Sequence, residues 1–147
     1  MKTATTLLIL FATLLILSTS AFAAQVSIPN INADAGSAVD IPVNVDNATG
    51  ISGFQFTITY DPSALTCTHV AKGQLLIDAE NNEGQSWSIT KNSTIPGQMT
   101  FSGYEANSLE IPSGYEGDRI LARIRCKAGS VPGASTPVNF TKAKIVR

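Results

Sequence analysis

From residue 26 onward, apolar and polar positions alternate with a period of two. Val26 and Ile28 open the pattern, and Val39, Ile41, Val43 and Val45 extend it over a longer stretch. Phe54, Phe56, Ile58 and Tyr60 share one side of a run whose other side holds Gln55, Thr57 and Thr59. Trp87 with Ile89, Met99 with Phe101, Ile120 through Cys126, and Val138 with Phe140 continue the alternation. A strand with one buried and one wet face carries this signature. Gly and Pro punctuation separates the runs at Asp34-Ala35-Gly36, Ala48-Thr49-Gly50, Pro96-Gly97, Glu116-Gly117-Asp118 and Val131-Pro132-Gly133. Short strands between such turns predict an all-β, antiparallel sandwich. No segment shows the period of an amphipathic helix. The single helical turn expected is Asp61-Pro62-Ser63-Ala64-Leu65, where Asp can cap and Pro fits the first helical position. The acidic stretch Asp78-Ala79-Glu80-Asn81-Asn82-Glu83 reads as a solvated loop.

Residues 1–23 break the pattern. Lys2 precedes the compact apolar run Leu7 to Leu17, and Ala21-Phe22-Ala23 forms a small-x-small site. This is the layout of a secretory signal peptide, and the run is shorter than the about 20 apolar residues a membrane span needs. The expected mature domain is residues 24–147, secreted and without a membrane span. The whole chain has a formal net charge of −1, and loss of Lys2 makes it more negative. That balance argues against a nucleic-acid partner. Export gives the two cysteines a meaning, since an even pair in an oxidising compartment usually bridges, although two buried thiols would also fit. Cys67 lies in phase with Leu65, and Cys126 with Ile124, each on the apolar side of its run.

Little chemistry can be built from these residues. His69 is the sole histidine and falls within an apparent strand, Leu65 to Val70. No Gly-x-Ser-x-Gly elbow is present, and no two carboxylates are singled out by spacing. The expectation is a protein that is not an enzyme, with no catalytic residue, no metal site and no cofactor. Three N-x-S/T sequons make Asn47, Asn92 and Asn139 candidate glycan acceptors.

The order of segments resembles the cohesin domain family, the receptor modules of cellulosome-type assemblies. Val26-Ser27-Ile28 and Gly36 to Val43 are similar to the family's opening strands. Gly53-Phe54-Gln55-Phe56-Thr57-Ile58-Thr59-Tyr60-Asp61-Pro62-Ser63-Ala64-Leu65 resembles its most telling motif, an alternating strand ending in Tyr-Asp-Pro. Thr68 to Gly73, Gly117 to Ala128 and Thr136 to Phe140 follow in the family's order. The resemblance implies a jelly-roll sandwich, a non-catalytic role, and a dockerin as partner, a small helical module that carries its own calcium. It also places Cys67 and Cys126 on neighbouring strands. The family's last strand, which pairs with its first, looks to be missing here, with the chain stopping soon after the eighth.

Cohesins dock their partner on the sheet of the third, fifth, sixth and eighth strands. By alternation, the outward side of that sheet would hold Gln55, Thr57 and Thr59, then Ser86 and Ser88, then Thr100, Ser102 and Tyr104, and finally Asn139 and Thr141. Such a face is polar and nearly uncharged, so weak salt dependence is expected. Two other readings compete: a structural or adhesive surface domain without a dockerin, and a carbohydrate-binding sandwich. Sugar faces usually offer several exposed aromatics, and here only Trp87, Tyr104 and Tyr115 come into question.

Overall fold

The alternating runs become strands. A computed structural model describes residues 24–147, so the expected signal peptide lies outside the described residues. In chain order the elements are β1 (Gln25–Ser27), β2 (Ala38–Asp46), β3 (Gly53–Thr59), β4 (Leu65–Lys72), α1 (Gln74–Glu83), β5 (Trp87–Asn92), β6 (Gln98–Glu105), β7 (Ile120–Ala128) and β8 (Asn139–Val146). They form two four-stranded sheets, β1-β2-β7-β4 and β5-β6-β3-β8, in which every neighbouring pair is antiparallel. This is the expected antiparallel jelly-roll sandwich. Eight strands are present among the described residues, and none of them pairs with the outer edge of β1.

The inward side chains make one core. Phe56 is fully buried at its centre, with ring centroids 5.4 Å from Phe54, 5.6 Å from Phe101 and 5.5 Å from Phe140. Ile41, Val43 and Val45 of β2 and Leu121, Ala122 and Ile124 of β7 close it from the other sheet. Pro42 interrupts β2 without breaking it. It pairs with Arg123 on one side, and β1 covers only Asn44 to Asp46 on the other, so the missing N–H meets no strand. Cys67 and Cys126 stand directly opposite each other on β4 and β7, and their sulfurs are bonded. The bridge ties the edge strand β4 to β7, its neighbour in the sheet.

Two expectations need correcting and one holds. The acidic stretch Asp78 to Glu83 is the second half of helix α1, not a loop. The helix buries Leu75, Leu76 and Ala79, a stripe too short to show a clear helical period in the sequence. It ends at Gly84, whose φ of 64° in the left-handed region is the conformation glycine reaches without strain. Glu80 faces inward enough to pair with Lys72 at 2.6 Å and to accept the Trp87 amide at 2.8 Å. Burial opposes its charge, but these partners outweigh it and hold the carboxyl below its usual range. The turn at Asp61 forms as expected, with Asp61 Oδ1 accepting the Ser63 amide and the Asp61 carbonyl accepting the Leu65 amide. The other correction concerns β8 and bears directly on the site.

Candidate partner-docking face

The outward face of the β5-β6-β3-β8 sheet follows from the ladder register. Thr57 on the central strand β3 is level with Thr100 on β6 and Lys142 on β8, and the Thr57 and Thr100 hydroxyls lie 2.9 Å apart. The next row joins Thr90, Ser102, Gln55 and Lys144. The row beyond joins Ser88, Tyr104, Gly53 and Val146, while Thr59 is level with Gln98 and Asn139. The structure therefore assembles Gln55, Thr57, Thr59, Ser88, Thr100, Ser102, Tyr104 and Asn139 on one face. Helix α1 packs against β7 and β4 and leaves this face uncovered.

Three of the expected face residues behave differently. Ser86 precedes β5 and sits at its rim, where its amide donates to Glu105 Oε1. Thr57 is only 7% exposed, closed in by the neighbouring strands. Thr141 is the extra residue of a β-bulge between Thr57 and Ile58 of the facing strand, and its hydroxyl donates to the Thr57 carbonyl rather than joining the row. A bulge shifts the alternation by one and exchanges the faces of everything after it. Lys142 and Lys144 therefore point outward, level with Thr57 and Gln55, and Ala143 and Ile145 lie level with the inward Phe56 and Phe54. The face is not nearly uncharged. It carries two lysines along its β8 edge, and among the described residues neither belongs to an ion pair. The signal was in the sequence: apolar positions step from Phe140 to Ala143 and Ile145, an odd interval that breaks the period of two.

The face also has relief. Gly53 supplies no side chain between Tyr104, 53% exposed, and Val146, 44% exposed. A Cβ there would come within 3.3 Å of the Gly103 carbonyl oxygen, a tight contact, and within 3.6 Å of Val146. The result is a shallow depression of about 500 Å³ walled by Tyr104 and Val146, with Lys144 and Gln55 at its rim.

Other candidate residues are dispersed. His69 is exposed on β4, level with Arg125, and its Nδ1 lies 2.8 Å from the Thr68 hydroxyl. Among the described residues, no group of three or more His, Cys, Asp or Glu side chains could hold a metal. Trp87 is 2% exposed, and its indole N–H donates to Gln85 inside the protein. The Tyr115 hydroxyl is buried, and burial together with the charges of Asp78 and Asp118 raises its pKa. Of the three aromatics weighed for sugar stacking, Tyr104 alone stands exposed. Asn47, Asn92 and Asn139 are all exposed, and Asn92 uses its side-chain oxygen to bind the Thr94 amide and hydroxyl. Among the described residues, no helix is long and apolar enough to cross a membrane.

The cohesin-domain family model matches residues 24–146, which span all eight strands. The chain belongs to the cohesin family. Solved structures of other cohesins share its fold. The sixth cohesin of scaffoldin B from Acetivibrio cellulolyticus, solved with a Cel5 dockerin, has 22% identity and a TM-score of 0.64, with 84% of this chain and 86% of that one covered. The OlpA cohesin of Clostridium thermocellum, solved with dockerin Doc918, has 18% identity and a TM-score of 0.67, covering 84% of each chain. The seventh ScaB type I cohesin of Pseudobacteroides cellulosolvens has 23% identity and a TM-score of 0.63, covering 82% of this chain and 75% of that one. No curated protein sequence matches.

Proposed function

We propose that this cohesin domain is an exported, non-catalytic receptor that docks a calcium-loaded dockerin on the outward face of the β5-β6-β3-β8 sheet. The observation that carries the reading is the family match across residues 24–146, joined to an uncovered face whose residues come from four strands. The solved relatives from Acetivibrio cellulolyticus and Clostridium thermocellum were captured with dockerins, which supports a partner of the same kind. Gln55, Thr57, Thr59, Ser88, Thr100, Ser102 and Tyr104 would meet the partner, with Ser86 at the rim and Asn139 at the start of β8. The calcium would belong to the dockerin. A glycan on Asn139 would stand on the same face and obstruct docking. Residues 1–23 would direct export and be removed, so that N-terminal sequencing of the exported protein reads from Ala24; material that retains Met1 would contradict this.

The docking test is isothermal titration with a calcium-loaded dockerin cloned from the genome that encodes this chain. The variant Thr57→Arg/Thr59→Arg places two long cations at the centre of the face. Loss of binding by the folded variant is expected. Undiminished binding would move the site to the other sheet or to the loops, and failure of the wild type to bind any such dockerin would favour a structural or adhesive role.

A further inference from the structure

Ion pairing on the surface is partial: among the described residues Lys91, Arg123, Lys127 and Arg147 form no ion pair, and neither do Lys142 and Lys144. Lys72 pairs with Glu80, Arg119 with Asp46 at 2.8 Å, and Arg125 with Asp40 at 3.5 Å. Lys142 and Lys144 are both exposed and lie on the same side of an edge strand. Their rows continue into Thr57, Thr100 and Asn92, and into Gln55, Ser102 and Thr90. No carboxylate occurs in either row. The one acid on β6, Glu105, is level with Trp87, 4% exposed and engaged with backbone amides. A chain whose charge is negative overall thus presents a face whose exposed charges are positive, the one acid bordering it, Glu105, being buried.

We infer that the Lys142–Lys144 edge selects dockerins whose docking helix is acidic along the side laid against β8, with an apolar side chain seated at Gly53 between Tyr104 and Val146. The inference rests on the docking face proposed above and adds the chemistry of its partner. Alternate strand residues are about 6.7 Å apart. Acids four apart on a helix rise by about 6 Å and share one side. One helix running along β8 can therefore oppose both lysines at once. An acid placed against an unpaired lysine gains attraction, whereas a lysine or arginine there meets like charge, so the pair discriminates between partners more than it adds affinity. The depression at Gly53 supplies the desolvated contact that charge alone does not.

The test compares three charge variants by titration with the same cloned, calcium-loaded dockerin at low and high salt. Lys142→Glu/Lys144→Glu should weaken binding about tenfold at low salt, and the wild type should lose affinity as salt rises while this variant does not. Arg123→Glu/Lys127→Glu makes the same change in net charge on the outward side of β7, in the other sheet, and should leave affinity within about twofold. Thr57→Arg/Thr59→Arg reports on the face itself. If that variant abolishes binding while Lys142→Glu/Lys144→Glu changes neither affinity nor salt slope, the lysine inference is wrong and the docking face stands. If Thr57→Arg/Thr59→Arg has no effect, the docking face is wrong. Equal weakening by both glutamate variants would make the effect one of overall charge and also overturn the inference. So would dimerisation of the chain that Lys142→Glu/Lys144→Glu abolishes, because the lysines would then serve a second copy.

Discussion

The Glu105 carboxylate accepts the Ser86 backbone amide at 2.8 Å, joining the end of β6 to the entry of β5. Its second oxygen accepts the amides of Asn107 at 2.8 Å and Leu109 at 2.7 Å, so one side chain organises the loop that leaves the sheet. Burial works against this charge, but the three backbone donors prevail and hold the carboxyl below its ordinary value of 4.5. A carboxyl lowered in the folded state contributes stability that is complete above the ordinary range and is lost as pH falls through the lowered value. Glu105→Gln should therefore lower the melting temperature at neutral pH, and the gap from wild type should narrow as pH falls below the ordinary carboxylate range. Melting curves across pH check this; an unchanged gap at every pH would show that the charge is not what holds the loop.

The Cys67–Cys126 bridge spans 59 residues of chain and fastens an edge strand. Cys67→Ser/Cys126→Ser should cost about 2–4 kcal/mol in denaturant unfolding. The docking sheet contains neither cysteine, so dockerin affinity should be retained by whatever fraction stays folded. Mass spectrometry without reductant should show a deficit of two hydrogens in the native protein. Loss of affinity in a folded double serine variant would tie the bridge to the binding face.

Phe56 is fully buried, and three other rings of its own sheet converge on it. Phe56→Ala should destabilise the fold by about 3–5 kcal/mol, since the surrounding strands can collapse only partly into the space left. Urea titration gives the value, and a cost under about 1 kcal/mol would mean that the core is not packed around this ring.

The sandwich was legible because β2, β3 and β6 alternate in sequence over several residues and β7 does so from Ala122 onward, and alternation is a direct readout of a half-buried strand. The inward set Phe54, Phe56, Ile58, Trp87, Met99 and Phe101 was legible for the same reason. Helix α1 was not, because its buried stripe is only Leu75, Leu76 and Ala79 and its start lacks a side-chain cap, leaving neither a period nor a start signal. The alternation placed Gln55, Thr59, Ser88, Thr100, Ser102, Tyr104 and Asn139 on the side that the ladder register gives them, whereas Ser86 falls at the rim, Thr57 is buried, and the phase is lost at Thr141. A bulge depends on the pairing of two strands, whereas alternation is read within one. The lysines were missed as a consequence, and with them the charge of the face. Gly53 and Tyr104 lie 51 positions apart in the chain and become neighbours only through the β3–β6 register.

The most direct measurement of the central claim is amide hydrogen exchange on the domain, alone and saturated with a calcium-loaded dockerin. Docking on the proposed face predicts added protection in β3, β5, β6 and β8, strongest in residues 53–59 and 98–105, with β2, β4 and β7 unchanged. Protection confined to β2, β4 and β7 would contradict it and place the partner on the opposite sheet.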